Sequence, residues 1–175
     1  MHTNTLTDSQ NGFTIIEVLI SILVISVGLL GMAGLQTAGI QQSHKSYMKT
    51  QASMLAYDMT DRMRANLEGV NAGNYDSVNS STSPVSSTPN CDSSATCDAG
   101  EMAQYDIYHW TNKNAKGSIA DLLPSGVGTI SNDGTGVFTV TVMWDEERKG
   151  VIGTGCGKGM NPDQDLKCFQ IEFIP

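Results

Sequence analysis

The sequence predicts an α+β protein in which one long N-terminal helix packs on an antiparallel β-sheet of about three to four strands. Three observations lead to this prediction. A run of 23 residues from Phe13 to Leu35 contains a single charged residue, Glu17. Apolar residues then recur at steps of three and four, which is the period of one helix face. Near the C-terminal end of the sequence, apolar and polar residues alternate, as in strands with one covered face.

The apolar run is long enough to cross a bilayer as a helix, because about 20 residues at roughly 1.5 Å each span the hydrocarbon core. A charge inside such a segment costs about 2.5–3.5 kcal/mol on insertion scales, so Glu17 is a candidate functional residue. A secretory signal peptide is disfavoured, because residues 1–12 contain no Lys or Arg and the apolar core exceeds the usual length of about 15 residues. A plain membrane anchor would have no need of Glu17.

Beyond residue 35 the helix is predicted to become amphipathic and to run to about residue 67, with Gly69 ending it. Asp58, Asp61, Arg62 and Arg64 fall largely on other sides of the helix. The glycines at positions 28, 31 and 34 either allow close helix–helix contact or are simply tolerated in a membrane span. The apolar face that would cover the sheet consists of Met48, Ala52, Leu55, Met59 and Met63.

The remaining elements are predicted from turn residues and alternation. Residues 77–90 are rich in Ser, Thr and Pro and predict a mobile surface loop. A helix is expected at residues 101–111, followed by a short helical segment at 119–123. Strands are expected at residues 127–131, 137–144 and 168–174. One apolar face per strand predicts a sheet covered on one side.

Charge and motif content argue against several classes of function. The formal net charge is −8, and residues 69–175 carry thirteen acidic against six basic residues, which disfavours nucleic-acid binding. None of the three histidines lies in a nucleophile motif, and no phosphate-binding loop occurs. Asp163 and Asp165 form only a weak calcium motif, for which a solvated loop is the favoured interpretation. The sequence therefore predicts no catalytic residue, no cofactor and no metal site, and hence no enzyme.

The four cysteines, Cys91, Cys97, Cys156 and Cys168, form two pairs that are close in sequence. An even number in an exported domain predicts disulfides. The spacings within the pairs match no common zinc site, which disfavours metal binding. Three pairings are formally possible, and the local one, Cys91–Cys97 with Cys156–Cys168, is favoured.

The residues around the start of the apolar run resemble a known processing signal. A short polar leader ends at Gly12, Phe13 follows, and Glu17 lies four residues after Phe13, which is similar to the type IV prepilin signal. Residues 55–66 (LAYDMTDRMRAN) are similar to the PilV minor pilins, also called type IV pilus modification proteins. The Cys-x5-Cys ahead of Trp110 and the later Leu-Leu-Pro-x-Gly segment at residues 122–126 resemble the same group.

This resemblance implies an organisation of the chain and a fold. Residues 1–12 would be a leader that is removed, residues 13–35 the transmembrane half of the helix, and residues 36–68 its amphipathic half. Residues 69–175 would be a globular head in the periplasm or outside the cell. The implied fold is type IV pilin-like, with a C-terminal cysteine pair. The leader differs from most of this family in having no Lys or Arg.

The resemblance also implies a function. The chain would be a minor pilin that helps to prime pilus assembly within a complex at the fibre tip, and so supports piliation, twitching motility and adhesion. Its partners would be other minor and major pilins, the prepilin peptidase and the inner-membrane assembly platform. The protein would stay in the inner membrane, with its head in the periplasm, until it enters the fibre at the cell surface.

The sequence also allows two functions other than that of a minor pilin. A minor pseudopilin of a type II secretion system would share every N-terminal feature. An anchored periplasmic binding domain would have no need of Glu17. In the pilin interpretation, Glu17 of an incoming subunit pairs with the N-terminal amine of a subunit already assembled, while the competing interpretation places Glu17 at the lipid–water interface.

We expect cleavage between Gly12 and Phe13, followed by N-methylation of the Phe13 amine, in cells that contain a prepilin peptidase. Glycine has no Cβ and so lets a protease approach the backbone closely. Intact mass and N-terminal sequencing of membrane-extracted protein would detect the product, and a Gly12→Val variant should stay uncut. A mature chain that begins elsewhere, or an uncut wild-type chain, would contradict the prediction.

Overall fold

A computed structural model describes residues 12–92, 96–157, 159–161 and 163–175. The chain forms two compact units, one reaching Ser43 and the other extending over His44–Pro175. A long helix and an antiparallel four-stranded sheet confirm the predicted α+β class. In chain order the elements are α1 (Ile15–Ala65), α2 (Leu67–Asn71), β1 (Ser77–Asn79), α3 (Ala99–Thr111), α4 (Ile119–Leu122), β2 (Val127–Asn132), β3 (Phe138–Trp144) and β4 (Lys167–Phe173).

Helix α1 ends at Ala65, and the prediction that Gly69 ends it is wrong. Asn66 interrupts the helical backbone and becomes the N-cap of α2, accepting a hydrogen bond from the Gly69 amide at 3.2 Å. Gly69 lies inside α2, where a Cβ would come within 2.8 Å of the Ala99 carbonyl oxygen. Glycine is therefore needed at position 69 because the start of α3 approaches the backbone closely.

The second part of α1 supplies one wall of the hydrophobic core. All five predicted apolar positions are buried: Met48, Ala52, Leu55, Met59 and Met63. Ala56 and Thr60 are buried with them. The apolar residues of this face share a single core cluster with Val140 and Val142 of β3, both fully buried. The periodicity predicted from the sequence thus corresponds to the face that α1 packs on the sheet.

The sheet has the order β1-β2-β3-β4, and every neighbouring pair is antiparallel. Val140 at its centre lies between Ile130 on β2 and Ile171 on β4. Strand β1 falls within residues 77–90, which the sequence predicted to be entirely loop. That prediction is wrong for Ser77–Asn79, because pairing with β2 orders a segment that has no alternating pattern of its own.

Strand β3 is covered on both faces, unlike the half-covered strand that the sequence predicted. Thr141 and Met143 alternate with the core-facing valines, yet they are 5% and 1% exposed. Met143 is opposite Val127 on β2 and Cys168 on β4. The continuous apolar run at residues 142–144 is typical of a strand buried on both faces.

Helix α3 begins at a capping box and fixes a buried tryptophan. The Asp98 carboxylate accepts from the Glu101 amide at 2.8 Å, and the Glu101 carboxylate accepts from the Asp98 amide at 3.0 Å. Trp110, which is 1% exposed, donates its indole N–H to the Leu55 carbonyl at 2.8 Å. A Cβ at Gly128 of β2 would lie 2.7 Å from the Trp110 ring, so β2 approaches Trp110 too closely for any side chain there.

Truncation of the core face of α1 should destabilise the unit His44–Pro175. Met59 is fully buried, so Met59→Ala is expected to lower the free energy of unfolding by about 2–5 kcal/mol. Met54 lies on the same helix but is 61% exposed, and Met54→Ala should change it by less than about 0.5 kcal/mol. Urea unfolding of the detergent-solubilised chain, followed by tryptophan fluorescence, measures both. Equal effects of the two substitutions would contradict the assigned packing.

Candidate functional site

The candidate processing and assembly residues lie around the start of α1. Phe13 is 83% exposed and precedes the first helical residue, Ile15. The Thr14 carbonyl accepts from the Glu17 and Val18 amides at 3.1 and 3.3 Å, which places Glu17 in the first turn. Residues 1–11 of the predicted leader lie outside the described residues.

The Glu17 carboxylate has no hydrogen-bond or ion-pair partner in the part of the chain that the structure describes. Its position in the first turn is favourable, because a negative charge there complements the positive end of the helix dipole. Ser21, one turn later, donates its hydroxyl to the Glu17 carbonyl at 2.7 Å. The carboxylate is therefore free to interact with a group outside this chain.

The apolar part of α1 exposes all its side chains in this chain. Every residue from Gly12 to His44 is exposed, and α1 is long and apolar enough to cross a membrane by length and composition. A contiguous exposed apolar surface of this size indicates contact with lipid or with other helices. A Cβ added at Gly28, Gly31 or Gly34 would meet nothing within 4 Å, so packing within this chain does not require these glycines.

Residues 55–66 contribute to a buried polar network that joins α1 to α3. The Asp106 carboxylate on α3 accepts from the Tyr75 hydroxyl at 2.7 Å and from the Arg62 guanidinium at 3.2 Å. Arg62 also donates to Asp58 at 2.8 Å. Burial opposes the charge on Arg62, but its hydrogen bonds to Asp58 and Asp106 outweigh that effect and raise its pKa. The buried Asp106 charge is thus paired rather than isolated.

Asn66 completes this network at the end of α1. Its side-chain amide donates to the Tyr75 hydroxyl at 3.1 Å and to the Ala99 carbonyl at 2.8 Å. Asp58, Arg62 and Asn66 follow one another at intervals of four residues, so they lie along one line of the helix. These contacts give a structural reason for three polar residues of the segment 55–66, two of which, Asp58 and Arg62, sequence periodicity placed on the outer sides of α1.

Two disulfides close local loops, Cys91–Cys97 and Cys156–Cys168. These are the pairs that the spacing favoured. The second bond links the loop between β3 and β4 to β4 itself. Cross-links of this kind stabilise by restricting the unfolded chain, by roughly 2–4 kcal/mol each in the chain-entropy picture.

The described residues show no cluster of three or more potential metal ligands. The Asp165 carboxylate accepts from the Asn161 and Gly155 amides at 2.6 and 3.3 Å, so it organises its own loop. His109 stacks on Tyr105 at a ring-centroid distance of 4.2 Å, and His44 is exposed on α1. Asp165 and His109 thus make local contacts, and among the described residues these side chains form no common cluster of metal ligands.

Two family models match this sequence. The prokaryotic N-terminal methylation motif matches residues 7–33, and the model of the type IV pilin Tt1218 matches residues 34–108. The two matches are contiguous and together cover more than half of the 175 residues. They support a place for this chain in the type IV pilin superfamily. The pilin family that this model describes is structural rather than enzymatic. No curated protein and no solved structure matches the chain significantly.

The network around Asp106 predicts a specific response to alkaline pH. Burial, together with the hydrogen bond to Asp106, raises the pKa of Tyr75 in the folded state. An unfolded tyrosine ionises near pH 10, so the stability contributed by neutral Tyr75 is fully present below about pH 10 and is lost as the pH rises above it. Tyr75→Phe should lower stability at pH 7 by about 1–3 kcal/mol and should flatten the loss of stability above pH 10.

The matched control is Tyr57→Phe, because the Tyr57 hydroxyl has no hydrogen-bond partner among the described residues. This variant should keep the wild-type pH profile. Urea unfolding at pH values between 7 and 11 measures both variants. Identical alkaline slopes for Tyr75→Phe and wild type would contradict the role assigned to the Tyr75 hydroxyl.

Proposed function

We propose that this chain, which carries a type IV pilin domain directly after an N-terminal methylation motif, is a minor pilin of a type IV pilus. Its role is to prime fibre assembly within a complex of minor pilins at the tip. The observation that carries the proposal is the Glu17 carboxylate, which has no partner among the described residues. It lies in the first turn of α1, whose apolar first part is exposed along its whole length. A soluble domain or a simple anchor has no use for this arrangement.

The minor-pilin assignment rests on residues 55–66, whose sequence resembles the PilV minor pilins. The structure adds a physical reason for this resemblance, because Arg62 and Asn66 hold α3 and the turn at Tyr75 against α1. The proposed function includes support of piliation, twitching motility and adhesion.

In this proposal the chain passes through two environments. Residues 1–12 are removed by the prepilin peptidase, and residues 13–35 hold the protein in the inner membrane. Residues 36–68 form the amphipathic half of the helix, and residues 69–175 form the head in the periplasm. The assembly platform then moves the subunit into the fibre, where lipid contacts are replaced by contacts with other minor and major pilins.

Glu17 supplies the specific contact in this transfer. Cleavage leaves a free amine on Phe13, which stays cationic after the methylation that follows, and an unpaired charge in an apolar surrounding costs several kcal/mol. Pairing of this amine with Glu17 of a neighbouring subunit offsets the cost for both groups. Because the pair forms in one axial position only, it also sets the register between subunits.

We expect Glu17→Ala to insert into the membrane and to be cleaved normally, yet to be lost from the minor-pilin complex. Co-purification with the other minor pilins and counts of surface pili measure the effect. Ser21→Ala is the matched control, since Ser21 lies one turn further along the same helix and bonds only to a backbone carbonyl. Normal piliation and co-purification of Glu17→Ala would refute the assembly contact.

The alternative is a minor pseudopilin of a type II secretion system, which shares the N-terminal features. A deletion that abolishes twitching and leaves protein secretion intact supports the pilus. A deletion that abolishes secretion and leaves twitching intact supports the secretion system.

A further inference from the structure

Strand β4 is the outer strand of the sheet and has a free edge. It pairs with β3 over all seven of its residues, Lys167–Phe173. On its other side it pairs with no strand, and no backbone hydrogen bond reaches that side in the described part of the chain. Backbone N–H and C=O groups on such an edge can pair with an added strand.

The two faces of β4 differ in chemistry. Phe169, Ile171 and Phe173 are opposite the core residues Val142, Val140 and Phe138, so they lie on the face that packs on α1. Phe169 and Ile171 are only partly buried, whereas Gln170 and Glu172 on the other face are exposed. An added strand would complete the cover of Phe169 and Ile171 with its own apolar side chains.

A groove of about 330 Å³ runs between α1 and this edge. Tyr57, 53% exposed, stands beside it with its ring 6.5 Å from the Phe169 ring. The lining residues are Ser46, Lys49, Thr50, Ser53 and Phe169. The groove thus offers an aromatic wall, hydroxyl groups for hydrogen bonds and one charged side chain.

The charged side chain in the groove is Lys49. Lys49 has no carboxylate within 4.0 Å in the described part of the chain, whereas Lys45, one turn earlier, is paired with Glu146 and Glu147. At the other end of β4, Arg64 lies 5.2 Å over the Phe173 ring and pairs with Asp61. The groove therefore favours a carboxylate at the Lys49 end, although residues 69–175 are acidic as a whole.

We propose that the edge of β4 and this groove bind an extended segment of another protein, which adds to the sheet as a fifth strand. The segment has alternating apolar residues that face Phe169 and Tyr57, and an acidic residue that pairs with Lys49. Backbone pairing with β4 supplies the affinity, and the aromatic wall and Lys49 select the sequence.

The test uses the full-length chain in detergent and three synthetic peptides. The first is a blocked eight-residue peptide that alternates Val and Thr between terminal glutamates. The second has terminal lysines instead, and the third repeats the first with N-methylated backbone amides, which cannot form a ladder. We expect the first peptide to bind and to slow hydrogen exchange at residues 167–173, and the other two to bind at least threefold more weakly.

Charge reversal tests the role of Lys49 separately from folding. Lys49→Glu should lower the affinity for the glutamate peptide by about three- to tenfold and should raise the affinity for the lysine peptide. Lys113→Glu is the matched control, because Lys113 is also exposed and without an ion pair among the described residues, but lies on another surface. It should change neither affinity.

Three results would overturn the proposal. One is the absence of added protection in β4 at saturating glutamate peptide. Another is an unchanged affinity, either of the wild-type chain for the N-methylated peptide or of the Lys49→Glu variant for the glutamate peptide. The third is self-association of the chain through β4 that the peptide does not compete with, since a second copy would then be the occupant.

Discussion

The packing of α1 against the sheet is the contact on which the unit His44–Pro175 depends. The buried face of α1 meets β3 in one continuous core, and helix α3 also attaches to α1. Trp110 of α3 bonds to the Leu55 carbonyl, and Asp106 of α3 pairs with Arg62. Since α1 is the common partner of the sheet and of α3, a change on its buried face affects how both pack on it.

A buried carboxylate gives this packing its specificity. Asp106 is taken out of water, which costs free energy unless the charge is paired and hydrogen-bonded. Arg62, Tyr75 and Asn66 meet this need together, and they do so only when α1, the turn before β1 and α3 are correctly aligned. Loss of one partner would leave a buried polar group unsatisfied, so misaligned packings are penalised more strongly than apolar contacts alone would penalise them.

Features encoded by a local pattern could be predicted from the sequence. The stripe at Met48–Met63, the strands β2 to β4 and the unusual position of Glu17 each produce a signal within a few turns or residues. Strand β1 was missed because only its partner β2 defines it, and the burial of Met143 was missed because alternation assigned it to solvent. The Asp106 network joins residues that are 44 and 31 positions apart, and periodicity places such polar residues on the outside of a helix.

The two disulfides have a consequence for how the chain matures. Each joins a cysteine to the next one in the sequence, Cys91 to Cys97 and Cys156 to Cys168. A chain that is oxidised as it leaves a translocation channel meets its cysteines in this same order. Oxidation in this order gives the native bonds directly, without a thiol–disulfide exchange step to correct wrong pairs.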